Sequence, residues 1–228
     1  MDVQGILLRI LLTLPGVIIG LVFHEFMHAF VAWKLGDPTP REQRRLTLNP
    51  LRHLDPVGFL FLLVAGFGWA KPVQINRNYM RHPRRDEVLV SLAGPGANLV
   101  LGVFFSILLR LYFLVFPDQM LAYFNPGIVF QIYLMIIIIN YALFIFNLIP
   151  IPPLDGSHLI FAAINVRPET EAKLYRYGTF FFIGLLVVSM LAGQLGGQNY
   201  LFLGITKVVD FIANLFFGLL GLPPIRFA

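Results

Sequence analysis

The sequence contains no cysteine and few charged residues. The absence of cysteine excludes disulfides, thiolate metal ligands and cysteine nucleophiles, so a bound metal ion would need His, Asp or Glu ligands. Charged residues make up 13% of the 228 residues and hydrophobic residues 57%, and the mean hydropathy is +0.77. A soluble domain usually carries about 25% charged residues. The sequence therefore predicts an integral membrane protein whose immediate surroundings are the lipid bilayer.

Acidic residues are scarcer than basic ones, with 12 Asp and Glu against 17 Lys and Arg, which gives a net charge of +5. The basic residues lie in short polar segments beside apolar stretches: five in residues 34–52 and five more in residues 71–85. Residues 117–126 and 193–199 contain none. Orientation in the membrane explains this pattern better than nucleic-acid binding, because basic loops face the cytoplasm. We therefore expect no nucleic-acid partner.

The long apolar stretches predict an all-α polytopic membrane protein. A membrane-spanning helix needs about 20 apolar residues. Five stretches reach or approach that length: residues 5–35, 88–116, 127–149, 177–192 and 200–220. Residues 57–70 are apolar but too short for an ordinary span, and they suit a re-entrant element. We expect five or six transmembrane helices with a short re-entrant or β-hairpin element, in a single domain over residues 1–228.

The first apolar stretch contains the motif His24-Glu25-Phe26-Met27-His28. Residues four apart share one face of a helix, so His24 and His28 have the spacing at which two imidazoles bind one zinc ion. In an H-E-x-x-H arrangement the glutamate, here Glu25, is the general base that takes a proton from water. The alternative is a polar cluster between helices or a proton relay. Three ionisable groups together in a membrane are costly, which favours a divalent cation among them.

The third protein ligand that a catalytic zinc usually has must come from elsewhere in the chain. Glu42, in the polar segment after the motif, is one candidate. Asp155 is the stronger one, because it is the only charged residue between positions 127 and 166 and follows three prolines that break the helix. Broken helices at membrane depth are tolerated only around a cavity or inside the protein. A lone carboxylate in such a place needs a cation.

Asp155 lies in the segment NLIPIPPLDG, and this segment and the histidine motif together resemble the site-2 protease family of intramembrane zinc metalloproteases, peptidase family M50. The segments HLDPVG, FGWAKPV and AGPGAN also look like that family, in the same order, and the absence of a PDZ insertion is typical of its compact prokaryotic branch. The resemblance covers roughly residues 15–165. It implies a catalytic core over about residues 5–165, with two additional C-terminal spans over about residues 177–220.

The resemblance also implies a set of roles. One zinc ion is bound by His24, His28 and Asp155, Glu25 activates water, and the substrate is a single-span membrane protein cut within or near the bilayer. Asn147 would hold the substrate or polarise the scissile carbonyl, although a helix cap or interhelical hydrogen bond explains it equally well. Residues 57–73 resemble a re-entrant hairpin that pairs with an unwound substrate strand. The implied location is a prokaryotic cytoplasmic membrane, with the active site toward the cytoplasmic side.

Three other histidines have simpler interpretations. His53 is expected to order its loop through a hydrogen bond, with a catalytic or metal role as the alternative. His158, three residues after Asp155, would either contact a ligand of the metal site or be a polar residue at the start of a helix. His82, which lies among arginines, is expected to be solvated or near lipid headgroups.

A membrane transporter or channel for divalent metal or protons is the alternative function, since the same His and Asp residues could form a transient binding site. The glutamate between the histidines and the lack of a second inverted half with matching ligands disfavour it. The sequence gives no indication of an oligomeric state.

Overall fold

The structure is a computed structural model that describes residues 3–65, 68–117, 127–164, 166–194 and 200–224. This part of the chain is nearly all helical and contains no β-strand. Its α-helices are α1 (Val3–Lys34), α2 (Thr39–Glu42), α3 (Pro56–Ala65), α4 (Pro83–Val115), α5 (Ile128–Asn147), α6 (Gly156–Ala163), α7 (Pro168–Gln194) and α8 (Tyr200–Leu219). Two short 3-10 turns, Pro50–Arg52 and Arg77–Tyr79, lie in the polar segments.

Within the described residues, three helices are long and apolar enough to cross a membrane: Gln4–Lys34 of α1, Pro83–Val115 of α4 and Ile128–Asn147 of α5. Even the shortest, α5, has 20 residues and therefore extends about 30 Å, the thickness of the hydrocarbon core. They correspond to three of the five predicted spans. Helices α7 and α8 cover the two remaining apolar stretches, and the count of five or six spans stays a prediction.

The three apolar helices α1, α4 and α5 pack against one another, and α8 covers one side of α5. The largest cluster of buried hydrophobic residues joins α4, α5 and α8 around Tyr141, which is fully buried. Small residues bring the helices together: a Cβ on Gly102 would lie 2.8 Å from the ring of Tyr141. Such contacts through small residues are common between membrane helices.

The predicted re-entrant element consists of α3 followed by an extended return. Asp55 caps α3 by accepting a hydrogen bond from the Gly58 amide at 2.8 Å. The return meets the residues before the helix through an isolated antiparallel bridge between Leu54 and Ala70. Residues 66–67 of the element lie outside the described residues. The element is therefore mainly helical in the described part, and its re-entry into the membrane stays a prediction.

The proline-rich segment after α5 brings Asp155 back toward α1 and α4. Ser157 near the start of α6 is buried, and α6 packs on α4. Helix α7 holds the segment from the other side, because Phe182 and Leu186 form a buried cluster with Leu154. The residue before Asp155 is thus anchored in a hydrophobic contact between two elements.

Candidate active site

His24, His28 and Asp155 meet at one point between α1, α4 and the start of α6. The Nε2 atoms of the two histidines are 3.0 Å apart. Oδ2 of Asp155 lies 3.0 Å from Nε2 of His24 and 3.3 Å from Nε2 of His28. Both histidines are buried. We call these three residues the tripod.

The hydrogen bonds behind the two imidazoles determine which nitrogens carry protons. Nδ1 of His28 lies 2.7 Å from the carbonyl oxygen of Val90, which only accepts, so Nδ1 is the donor. Nδ1 of His24 lies 2.7 Å from Oδ1 of Asn98 and is also the donor. In neutral imidazoles both Nε2 atoms then present lone pairs to each other and to a carboxylate oxygen. Three lone pairs that face one another repel unless a cation lies among them.

The tripod has the dimensions and chemistry of a zinc site. In tetrahedral coordination with bonds of about 2.0–2.1 Å, ligand atoms lie about 3.3 Å apart, close to the distances among the three tripod atoms. Oδ2 of Asp155 is buried and has no hydrogen-bond donor in the described part of the chain, as expected for an atom that faces a cation. Nitrogen and carboxylate oxygen are both ordinary zinc ligands. The tripod residues therefore fit the metal ion.

Gly94 allows α4 to approach the tripod. A Cβ at this position would lie 2.3 Å from Nε2 of His28 and 2.7 Å from Cε1 of His24, distances that no side chain tolerates. The small residues of the AGPGAN segment therefore provide space for the two imidazoles.

Glu25 lies next to the tripod in α1 and is 8% exposed. Its position is three residues before His28, so the two side chains lie on neighbouring parts of the helix surface. Oε2 of Glu25 accepts a hydrogen bond of 3.1 Å from the amide of Val73, in the extended segment after α3. Since one carboxylate oxygen is held by a backbone amide, the orientation of Glu25 is fixed.

Buried Arg45 holds the extended segment beside Glu25. Its Nη2 donates to the carbonyl oxygens of Lys71 and Pro72, each at 2.9 Å, and its Nη1 donates to that of Arg52. Burial lowers the pKa of Arg45, and the charge of Glu25 opposes this shift. No sequence pattern distinguishes this arginine from the others in its basic segment.

Asp155, rather than Glu42, approaches both histidines. Glu42 is exposed at the end of α2. Asn147 lies at the end of α5, where its Nδ2 donates to the carbonyl oxygen of Leu143 at 3.0 Å. This bond lies within the last turn of α5 and is not an interhelical bond, and the role of Asn147 toward substrate stays a prediction.

The remaining histidines lie apart from the tripod. His53 is fully buried and its Nε2 lies 2.7 Å from the carbonyl oxygen of Thr47, so it orders its loop. Burial lowers its pKa and the nearby charge of Arg45 adds to the effect, although the bond to Thr47 opposes it. His82 is exposed at the start of α4. Both results agree with the simpler interpretations.

His158 belongs to a second ionisable group, which we call the Arg77 cluster. Nδ1 of His158 lies 3.0 Å from Oε1 of Glu87. The guanidinium of Arg77 pairs with both Glu87 and Glu171. The hydrogen bond from Arg77 lowers the pKa of Glu171, against the effect of burial, and both acids raise the pKa of Arg77. The cluster ties α4, α6 and α7 to the turn that contains Arg77.

Asn98 and Asn140 are site residues that sequence reasoning missed. Both side chains are fully buried, and they are hydrogen-bonded to each other at 3.1 Å. The available signal was an amide side chain in the middle of each of two apolar helices. A buried polar group in a membrane helix is costly and needs a partner or a function.

Comparisons with known proteins place the chain in a family. The model of peptidase family M50 matches residues 119–189, which include Asp155. YwhC of Bacillus subtilis, named as a zinc metalloprotease, is 45% identical over 174 residues, which are 75% of this chain and 76% of the relative. Rip2 of Mycolicibacterium smegmatis, also named as a zinc metalloprotease, is 33% identical over 213 residues, 90% of this chain and 77% of the relative.

The similarity extends to an archaeal protein. MJ0611 of Methanocaldococcus jannaschii, again named as a zinc metalloprotease, is 31% identical over 156 residues, 68% of this chain and 71% of the relative. No solved structure matches the chain. Similarity to a family of peptidases favours the predicted protease function over the alternative, a transporter or channel. The chain belongs to peptidase family M50, the site-2 protease family, and is a zinc metallopeptidase of the membrane.

Proposed function

We propose that this protein hydrolyses peptide bonds in or near the transmembrane segments of single-span membrane proteins, in regulated intramembrane proteolysis. The observation that carries the proposal is the tripod itself. Two of its residues lie on a helix that is apolar enough to cross a membrane, and the third meets them there. A metal site in this setting acts on a substrate that shares the bilayer.

In the proposed mechanism His24, His28 and Asp155 hold one zinc ion. When bound, zinc makes water more acidic and polarises a carbonyl group. Glu25 takes the proton from the attacking water and delivers it to the amine of the departing peptide. The amide of Val73 fixes the carboxylate for this task through its bond to Oε2. Asn147 contacts the scissile carbonyl or the adjacent substrate backbone.

The extended segment over residues 70–73 is the proposed contact for the unwound substrate. A peptide bond inside a helix is shielded, so a substrate must become extended before attack. Arg45 holds this segment beside Glu25 through two of its carbonyl oxygens. Substrate selection then occurs in the membrane domain, which we take to be a single domain over residues 1–228.

We infer that the site opens toward the cytoplasmic side of a prokaryotic cytoplasmic membrane. The tripod histidines lie in the second half of α1, which ends at Lys34 and leads into the basic residues 34–52. Basic loops face the cytoplasm. Water for hydrolysis would enter from that side, around the polar segments that connect α1 to α4.

The test is cleavage of a single-span substrate that is labelled at both ends and co-reconstituted with the protein in vesicles. Wild type should cut within or near the span, as mass spectrometry of the fragments would show. Glu25→Gln should lose about 10²–10⁴-fold in rate, the contribution of a general base, while it retains zinc. Glu42→Gln, the same change at an exposed acid, is the control and should cut normally. Equal rates for wild type and Glu25→Gln, or cuts only in soluble loops, would contradict the proposal.

A further inference from the structure

The two histidines of the tripod are held from behind in different ways. His28 donates to a backbone carbonyl, that of Val90, which any residue at position 90 would supply. His24 donates to a side chain, Asn98, which only particular residues can supply. The orientation of His24 therefore depends on the identity of one side chain in another helix.

The amide of Asn98 can point only one way. Its Nδ2 donates to the carbonyl oxygen of Gly20 at 3.0 Å and to Oδ1 of Asn140 at 3.1 Å. Asn140 is fixed in turn, because its Nδ2 donates to the carbonyl oxygen of Ile136 at 2.8 Å. Both partners of the Asn98 Nδ2 group are acceptors, so this group must be the donor and Oδ1 must face His24. A flipped amide would place N–H groups against N–H and leave two acceptors unpaired.

We propose that Asn98 and Asn140 are positioning residues that fix the tautomer and ring orientation of His24, and so set its affinity for zinc. The relay runs from the Ile136 carbonyl through Asn140 and Asn98 to Nδ1 of His24. Because Nδ1 carries the proton, Nε2 presents its lone pair to the metal. Partners of this kind orient metal-binding histidines and contribute about 10–100-fold to metal affinity.

The position of the relay supports this role. Both asparagines are fully buried, so the relay is shielded from water that would compete for its hydrogen bonds. It joins α1, α4 and α5, the three apolar helices that pack against one another. A merely structural bridge would need only the Asn98 bonds to Gly20 and Asn140. The third bond ends on the imidazole of His24, whose Nε2 faces the other two tripod atoms.

The test measures zinc affinity by competition with a chelator of known affinity, on the full chain in detergent at one pH. Asn98→Leu removes the acceptor and should weaken zinc binding about 10–100-fold. Asn98→Asp loses the bonds to Gly20 and Asn140, but both of its carboxylate oxygens accept, so it offers an acceptor to Nδ1 without needing those bonds to orient it. It should therefore keep zinc affinity near wild type although its thermal stability falls. This rescue separates positioning from packing.

Ser106→Ala is the matched control. Ser106 is fully buried in the same helix and contacts Gly102 and Tyr141, so it also bridges α4 and α5 without reaching the tripod. Its loss should reduce thermal stability and leave zinc affinity unchanged. The visible spectrum of the cobalt-substituted protein should change in Asn98→Leu and not in Ser106→Ala.

The inference rests on the proposed assignment of His24 as a zinc ligand, and His24→Ala tests that assignment alone. If His24→Ala retains full zinc, the ligand assignment fails. If His24→Ala loses zinc but Asn98→Leu binds it as tightly as wild type, positioning by Asn98 fails. Should Asn98→Leu not fold, Asn140→Leu takes its place: it leaves Asn98 in contact with His24 but removes one anchor. A decrease in zinc affinity in Asn140→Leu would support the relay, and unchanged affinity would contradict it.

Discussion

The tripod and the Arg77 cluster are both groups of His, Asp and Glu side chains, and both include a residue from the start of α6. Each brings three such groups close enough to hold a metal ion. They differ in what balances the negative charge. In the Arg77 cluster a guanidinium pairs with both glutamates, whereas Oδ2 of Asp155 lies 3.0 and 3.3 Å from imidazoles, which are not permanent cations.

The difference indicates how a group that fits a metal ion is distinguished from a structural ion-pair network. The Arg77 cluster carries its own cation, which pairs with both of its glutamates, and it ties α4, α6 and α7 to the turn that contains Arg77. With both imidazoles neutral, the tripod presents lone pairs on all three converging atoms, and within the part of the chain that the structure describes no arginine or lysine is paired with its carboxylate. Residue type and distance alone do not separate the two groups, because both satisfy them. The arginine that pairs with both acids of the Arg77 cluster, and has no counterpart at Asp155 in the described residues, does.

The largest expected effect is the loss of the tripod carboxylate. Asp155→Ala should lose bound zinc and proteolysis. Its zinc affinity should fall by more than about 100-fold, the upper range for loss of a residue that only supports a metal ligand. Glu42→Ala, at the alternative acid, should keep both. Metal content by mass spectrometry and vesicle cleavage would check this. A normal zinc content in Asp155→Ala, together with loss in Glu42→Ala, would reverse the choice between the two acids.

A smaller effect is expected from closing the space beside the imidazoles. Gly94→Ala places a Cβ 2.3 Å from Nε2 of His28, so the tripod must shift and zinc affinity should fall about 10–100-fold. Gly96→Ala changes a glycine of the same helix that has nothing within 4 Å of the added Cβ, and it should bind zinc normally. Chelator competition measures both. Equal affinity for the two variants would show that α4 does not constrain the tripod.

Removing the internal cation should make the Arg77 cluster resemble the tripod. Arg77→Met should reduce stability by about 1 kcal/mol, because the Arg77 side chain is 39% exposed and water weakens its ion pairs. For a chain of this length that is about 2–4 °C in thermal melting. The variant should also gain a second, weaker zinc site formed by Glu87, His158 and Glu171.

The control for this variant is Arg81→Met, a change at an exposed arginine. It should bind one zinc ion and melt as wild type does. Zinc titration followed by melting separates the two sites, since zinc should restore the stability of Arg77→Met. If excess zinc neither binds nor stabilises Arg77→Met, the cation supplied by Arg77 does not explain the difference between the Arg77 cluster and the tripod.

The smallest expected effect is on pH dependence. The bond to Arg77 lowers the folded-state pKa of Glu171, so this ion pair stabilises the protein fully above the usual glutamate pKa of about 4.3. Its contribution is lost as pH falls through the lowered value. As the pH falls, zinc should leave the tripod before this ion pair is lost, because protons compete with zinc for the imidazole nitrogens.

Two measurements over the same pH range would check this order: zinc content of the wild type, and the difference in stability between wild type and Arg77→Met. The difference in stability should persist at a pH where zinc has already been released. If it disappears first, the Arg77 cluster is the weaker of the two groups in acid.

The sequence by itself predicted the membrane class, the helical fold and the pair His24 and His28. These depend on composition and on the repeat of the α-helix, and both are local properties of the chain. It also indicated the importance of Asp155, because a lone acid in an apolar, proline-broken segment is unusual. It did not predict that residues 57–65 would be mainly helical, since a short apolar run with glycines fits a helix or a hairpin.

Only the tertiary structure decided which acid meets the histidines, which of the many small residues matters, and how the imidazoles are held. Asn98 lies 74 residues from His24 and 42 from Asn140, and no local pattern relates residues that far apart. The proton positions in the tripod follow from bonds to Val90 and Asn98 in a different helix. The sequence therefore indicated the proposed ligands, and the packing of α1, α4 and α5 determined the directions in which these side chains point.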